Sequence, residues 1–436
     1  MRHKFAWSAL PIVVAGSAAT IGLAVPAMAA TSSAGGMSSA AYASSMRGPG
    51  VLNVATTGHD HGNCQFGPCK TLGYALTQAH SHDKIVVHPG IYHESGNANV
   101  VSPGLTGLKI TSTGSAAHTV IDATGNTNGI LIQANKVTVT GFTVENAKLE
   151  GILAEPLPSS WPKTATAAPA NISDVTISNN VVVHNDKAFN TKLPSDAGCP
   201  TSPTDADDCG EGIHLLAATG SQVLGNTVAN NVGGILLSDG GFGVSVGPAA
   251  HNLIAHNVSV NNALDCGITL PGHDPRAVAT NGHAQPKLAG VYDNTVTHNV
   301  SSNNGGAGLL DAAPTPGTAS YNNHFVDNTA NGNGNGGFSF HSHAPQQDLG
   351  GVVVEGNHFG KNNVAGDPDA GVKSTSGIVL LSVAVPTSIV VTNNTITNDV
   401  NGIAFNSNIH VVGDHNHFVN VTNDHLKYTP PAPAAS

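Results

Sequence analysis

An all-β solenoid is the fold that this 436-residue chain predicts, and three observations predict it. The first is a recurring stretch, seen most fully as Gly225-Asn226-Thr227-Val228-Ala229-Asn230-Asn231-Val232-Gly233-Gly234-Ile235-Leu236-Leu237. Its leading Asn recurs as Asn180, Asn226, Asn257, Asn299, Asn323, Asn357, Asn394 and Asn416. A second polar column follows as Asn185, Asn231, Asn262, Asn304, Asn328, Asn362 and Asp399. The second observation is a Gly followed by an apolar residue: Gly129, Gly151, Gly212, Gly234, Gly267, Gly308, Gly337, Gly377 and Gly402. The third is that each unit holds only short runs of alternating apolar residues between Asn and Gly turns, with no helical stripe. A unit of that size cannot bury its apolar face alone, so it must stack on its neighbours. Stacking sets equivalent residues about 4.8 Å apart. A column of Asn then has a use, because each amide donates to one neighbour and accepts from the other at a tight bend. Asn also tolerates the left-handed backbone that such bends need. The architecture is a parallel β-helix.

The pattern Gly-Asn-x-Val-x-x-Asn-x-x-Gly-Ile-x-Leu resembles the right-handed parallel β-helix repeat of the pectin-lyase-like superfamily, from about Val51 to about Val421. The resemblance implies a single right-handed solenoid over residues 51–425. It leaves function open, since the superfamily holds polysaccharide lyases, glycoside hydrolases, uronate epimerases, phage tailspikes and non-catalytic surface proteins.

Taken in order, Arg2, His3 and Lys4 precede an apolar run to Val25 and a small-x-small site at Ala27-Met28-Ala29, the pattern of an export signal over residues 1–29. Residues 30–50 are Ser, Ala and Gly without a period, a flexible leader. The segment Thr71 to Ala79 is a short amphipathic helix with Leu72, Ala75, Leu76 and Ala79 on one face. It fits the cap that a solenoid needs over its first coil, and Thr71 to Glu94 resembles the start of many β-helix proteins. Phe142 occupies the Asn position of its coil, so the ladder begins at Asn180. Ladder positions from Asn226 are separated by 31, 42, 24, 34, 37 and 22 residues, and the excess over one bare coil must protrude as loops. Six such loops, Glu155 to Asn171, Asp239 to His251, Pro271 to Ala289, Ala312 to Ala319, His341 to Gly350 and Leu381 to Pro386, follow the Gly-apolar strand and so share one edge. The Asp186 to Gly210 loop alone is expected to precede that strand. Residues 426–436, rich in Pro and Ala, read as a disordered tail.

Composition narrows the partners. The formal charge is −11, and −13 once Arg2 and Lys4 leave with the signal, so nucleic acid and anionic membrane are excluded as natural partners. No stretch after the signal is long enough to span a bilayer. There are five cysteines. In an exported chain two close pairs, Cys64 with Cys69 and Cys199 with Cys209, read as two local disulfides, and Cys266 as a buried free thiol.

Loops gathered on one edge build a binding face. In the Gly-apolar strand the second and fourth residues after Gly are expected to face solvent. This gives an outward column of His214, Leu236, Thr269 and Leu310, and a next one of Leu216, Ser238, Pro271, Ala312 and His341. Glu155, Asp239, His273, Asp274, Asp311 and His343 sit at strand ends, and Glu211 and Asp265 flank the starts. Arg276 is the one Arg after Arg47. Beside His273 and Asp274 it suits a sugar carboxylate. Asp239 and Asp274 are then the candidate acid and base, His273 a proton carrier, Arg276 the substrate anchor, and His214 and His341 substrate contacts. Gly272-His273-Asp274-Pro275-Arg276 is similar in composition to the Asp-Pro-His motif of mannuronan C5-epimerases, in a different order. Polygalacturonase Asp-Asp and Gly-His-Gly signatures and the Arg-rich pattern of pectate lyases are absent. No cofactor is expected, with calcium through Asp239, Asp265 and Asp274 the one candidate. The reading is a secreted protein acting on polysaccharide as lyase, hydrolase or epimerase. The alternative is a non-catalytic surface or glycan-binding β-helix, favoured by the scarcity of aromatic residues. The acidic charge favours a neutral glycan over a polyuronate.

Overall fold

The computed structural model describes residues 48–94, 99–187, 210–241 and 244–431. The expected signal and nearly all of the leader lie outside them.

One coil shows the plan. Gln222–Leu224, Thr227–Ala229 and Gly233–Ser238 are three strands separated by the corners at Asn226 and Asn231. Each strand pairs in parallel with its equivalent one coil away, as Gln222 with Leu253, Thr227 with Val258 and Ile235 with Ile268. Repetition yields one 12-stranded and two 11-stranded sheets. The 12-stranded sheet runs from Val51–Val54 to Ile409–Val412, the second sheet from Gly90–His93 to His417–Val419, and the third from Val100–Val101 to Asn423–Tyr428. A five-stranded sheet closes the fourth side of the middle coils. The last strand runs past residue 425, pairing Lys427 with Phe405, so the coil stack continues into the segment expected as tail. Residues 49–430 form one compact unit.

The core is the column of inward side chains, including Ile213, Ile235, Ile268, Leu309, Phe338 and Ile378. The glycine column has a steric cause. A Cβ on Gly212 would lie 2.3 Å from Val228 Cγ1 and 2.6 Å from Asn231 Nδ2, so the corner closes only on a residue without a side chain.

The Asn ladders form as expected in kind. Asn257 Oδ1 accepts from Asn226 N and from Asn226 Nδ2, at 2.9 and 3.0 Å, while Asn226 Nδ2 also donates to Ile177 O at 2.9 Å. Phe142 N donates to Asn180 Oδ1, which starts the ladder where the sequence placed it. The left-handed residue, however, is the one before each ladder Asn, such as Gly225, His256, His298 and Asp327. One coil needs a correction of register. Asn328, and not Asn323, follows Asn299 in the first ladder, and Asn333 follows Asn304 in the second. Asn323 belongs to a third ladder, Ser221–Asn252–Asn294–Asn323. Both spacings around Asn328 are therefore 29 residues. Asn323, Asn328 and Asn333 repeat at equal intervals, so the local pattern fits either register. Pairing of Thr295 with His324 decides it.

The cap is the helix Leu72–Gln78, N-capped by Thr71 Oγ1 from Tyr74 N. Its first amides, Leu72 N and Gly73 N, donate to the buried Glu94 carboxylate at 2.6 and 3.2 Å, a charge well placed at a helix N-terminus. Of the two disulfides expected, the structure shows one, between Cys64 and Cys69. The other expected pair is not described: Cys199 and Cys209 both lie outside the described residues, so the structure does not bear on a bridge from Cys199 to Cys209. Cys266 is a buried free thiol that accepts from Ala307 N at 3.1 Å.

Candidate functional site

The third sheet orders its outer residues as the sequence predicts: His214 beside Leu236, Leu236 beside Thr269, Thr269 beside Leu310, and Ala312 beside His341. Their expected exposure to solvent is corrected. His214, Leu236, Thr269, Pro271 and His341 are all buried, because the insertions fold back over the sheet and carry small cores of their own. One is Trp161, Ala170 and Val246 on Leu216, and another is Ala370 and Val372 on Val379 and Leu381. Asp311 also departs from expectation. It points into the solenoid core, where Ser320 Oγ and Asn323 Nδ2 donate to it, and burial pushes it up to about 8.

Among the described residues, three groups of ionisable side chains lie along this face. The first joins Glu150, Glu155, Glu211 and His214, all buried. His214 Nε2 is hydrogen-bonded to Ser238 Oγ at 2.9 Å, and its Nδ1 stands 3.7 Å from Glu150 Oε1. Gln133 donates to Glu155, which burial and then the Glu150 charge push up to about 7 against that bond.

The second group holds Asp239, His273, Asp274 and Arg276, the residues expected to do the chemistry, and all four are buried. Asp239 is fully buried and accepts from three backbone amides, His273 N at 2.7 Å, Asp274 N at 3.1 Å and Gly290 N at 2.7 Å. It thereby pins both ends of the Pro271 to Ala289 loop. Asp274 takes Arg276 Nε at 3.0 Å and Nη2 at 2.6 Å, with Ser245 Oγ at 2.9 Å. Arg276 further donates to Ala167 O and Leu288 O. Arg276, expected as the anchor for a sugar carboxylate, is buried, and its guanidinium donates to Asp274 and to two carbonyls, so that it clasps two loops together. His273 is buried in the same clasp. Neither Asp239 nor Asp274 offers calcium an unengaged carboxylate here.

The third group is open to solvent. His341 ends the outer column on Phe338–Ser342, with His343 just past it. Asp367 and Asp369 reach them from the loop before Ser376–Ser382, a second loop preceding the Gly-apolar strand where the sequence suggested one. His341 Nε2 and Asp367 Oδ2 are 2.9 Å apart. Asp369 Oδ2 lies 3.8 Å from both His341 Nδ1 and His343 Nε2. His343 is 29% exposed and Asp369 53%. Burial opposes a charge on His341, but Asp367 outweighs it and lifts the ring to about 8; burial and then His341 hold His343 down to about 4. No motif in the sequence singles out Asp367 and Asp369. The available signal was the 37-residue gap between Asn357 and Asn394, longer than a bare coil.

A family model described as a right handed beta helix region matches residues 63–248, and one described as periplasmic copper-binding protein (NosD) matches 170–364. Among solved structures, the A-module of a mannuronan C-5 epimerase from Azotobacter vinelandii aligns at 14% identity over 81% of this chain and 91% of its own, with a TM-score of 0.50. A pectate lyase aligns at 14% identity over 90% of this chain and 83% of its own, with a TM-score of 0.46. No curated protein matches at the level of sequence. The chain is a right-handed parallel β-helix, matched as such over residues 63–248, and shares that fold with the epimerase module.

Proposed function

We propose that the protein is exported and acts on a glycan at the outer face of the third sheet, at the end that carries His341, His343 and Asp369. One observation carries the placement. Of the three ionisable groups on that face, the two around His214 and Asp274 are sealed, while this one opens to solvent through His343 and Asp369. A polymer can lie only where the face is open, and imidazole with carboxylate is the equipment for moving protons at a glycosidic bond or a sugar carbon. The substrate class is supported by the mannuronan C-5 epimerase that shares the fold, and the net charge of −11 favours a neutral polymer over a polyuronate. Export is supported by the signal-like N-terminus, by the Cys64–Cys69 disulfide and by the periplasmic family named in the partial match. Among the described residues no helix is long and apolar enough to cross a membrane.

A second reading, glycan binding without turnover, is favoured by the engagement of Asp239 and Asp274 in structure. One experiment separates the two. Wild type, His343→Ala and Asp369→Asn are incubated with neutral and uronate polysaccharides, with reducing ends and unsaturated products followed beside binding. Turnover lost in the variants with binding retained supports an enzyme, and binding lost with no turnover by any form supports a module. Variants equal to wild type in both assays place the site elsewhere.

A further inference from the structure

The His341 group has a geometry that proton transfer alone does not require. Alternate residues of an extended strand share a face, so His341 and His343 project together, and their rings meet edge to face with centroids 5.4 Å apart. Opposite them, Asp367 Oδ1 accepts from Asp369 N at 3.1 Å and Ala370 N at 3.0 Å. That turn holds Asp369 out over the two rings while the other oxygen of Asp367 fixes His341 through Nε2.

The remaining donor atoms converge. One ligand atom from each of His341, His343 and Asp369 lies within 4.8 Å of the other two, and His341 Nδ1 and His343 Nε2 each stand 3.8 Å from Asp369 Oδ2, beyond hydrogen-bond length. Ligands about 2.0–2.2 Å from a tetrahedral cation are roughly 3.3–3.6 Å apart. A small inward swing of the exposed Asp369 side chain brings its carboxylate to that spacing from both imidazoles. A metal-bound His that gives its second ring nitrogen to a carboxylate is the usual outer-shell arrangement, and Asp367 supplies it.

We infer that His341 Nδ1, His343 Nε2 and Asp369 form a site for one divalent transition cation of borderline softness, copper(II) or zinc(II), oriented by Asp367. Two imidazoles and one carboxylate select such ions over calcium or magnesium, which take all-oxygen sites. The exposed side of Asp369 leaves a further coordination position to solvent. The partial match to the copper-binding family ends at residue 364 and so covers both imidazoles and neither aspartate; the inference stands on the contacts.

Metal binding needs no glycan, so the test is independent of the function proposed above. The full chain, without a polyhistidine tag and stripped with chelator, is titrated with copper(II), zinc(II) and calcium by calorimetry. Melting temperature is read in parallel, and the copper form by electron paramagnetic resonance. The expected result is one equivalent of copper or zinc, a raised melting temperature, and nitrogen couplings from two imidazoles. His343→Ala, at a partly exposed position, and Asp369→Ala, at an exposed one, should weaken binding at least tenfold. Asp367→Asn, which keeps every ligand, should weaken it about 10- to 100-fold. Absence of saturable binding, preference for calcium, or affinity unchanged in His343→Ala and Asp369→Ala overturns the inference. So does binding that survives those variants and is lost in His214→Ala, which would move the ion to the buried Glu150, Glu211 and His214 group. Glycan turnover or binding with no metal uptake would sink this inference and leave the functional reading standing.

Discussion

Replacing Asp274 by Ala tests whether Arg276 is a substrate anchor or a clasp. The change removes the acceptor of Arg276 N at 2.9 Å, Arg276 Nε at 3.0 Å, Arg276 Nη2 at 2.6 Å and Ser245 Oγ at 2.9 Å. The guanidinium, 5% exposed, is left as a buried charge without a counter-charge. Breaking such a pair costs roughly 3–5 kcal/mol, whereas replacing both members by apolar residues of similar size is often close to neutral. Because the pair ties the 271–289 loop to the 155–171 loop through Ala167 O, the loss should appear first as local opening. Hydrogen exchange and limited proteolysis of both loops, beside a denaturant melt, measure it. The expectation is loss of loop protection in Asp274→Ala and its recovery in Asp274→Leu/Arg276→Met. Full protection in the single variant, or a double variant as open as the single one, would refute the clasp. Glycan binding that falls in Arg276→Met while the loops stay protected would restore the anchor.

Further outcomes follow from the interior. Asn257→Leu strips Asn226 N and Asn226 Nδ2 of their shared acceptor and should cost about 1–3 kcal/mol for each buried donor left without a partner; an unchanged chemical melt would mean that the ladder carries no load. Asp311, raised from 3.8 to about 8 by burial, binds its proton more tightly folded than unfolded. Its contribution is therefore complete below about pH 4 and declines as pH rises toward 8. Asp311→Asn should accordingly melt higher than wild type at pH 8.5, with the gap closing toward pH 5, and parallel pH profiles would count against a protonated carboxyl in the core. Cys266 should resist thiol reagents in the native protein and react after denaturation, while a non-reduced digest carries Cys64 and Cys69 in one linked peptide; a bridge to Cys266 would contradict both.

Much of this protein was settled by local pattern. The Gly column from Gly129 to Gly402, the coil that begins at Phe142 and the capping helix after Thr71 are each written in a few adjacent residues. Turn chemistry and alternation act over that same short range. The register around Asn323, Asn328 and Asn333 was not, because equally spaced asparagines satisfy every local rule and only pairing of Thr295 with His324 chooses among them. The candidate site divides in the same way. Placing His214 and His341 in outer columns needed only alternation. That the insertions would bury most of the face, turn Asp274 and Arg276 on each other, and bring Asp367 and Asp369 to His341 was decided by where long loops fold back across several coils. Apart from Asp274 and Arg276, which are two residues apart, a side chain's partner there lies tens of residues away, and no repeat period encodes which loop covers which strand.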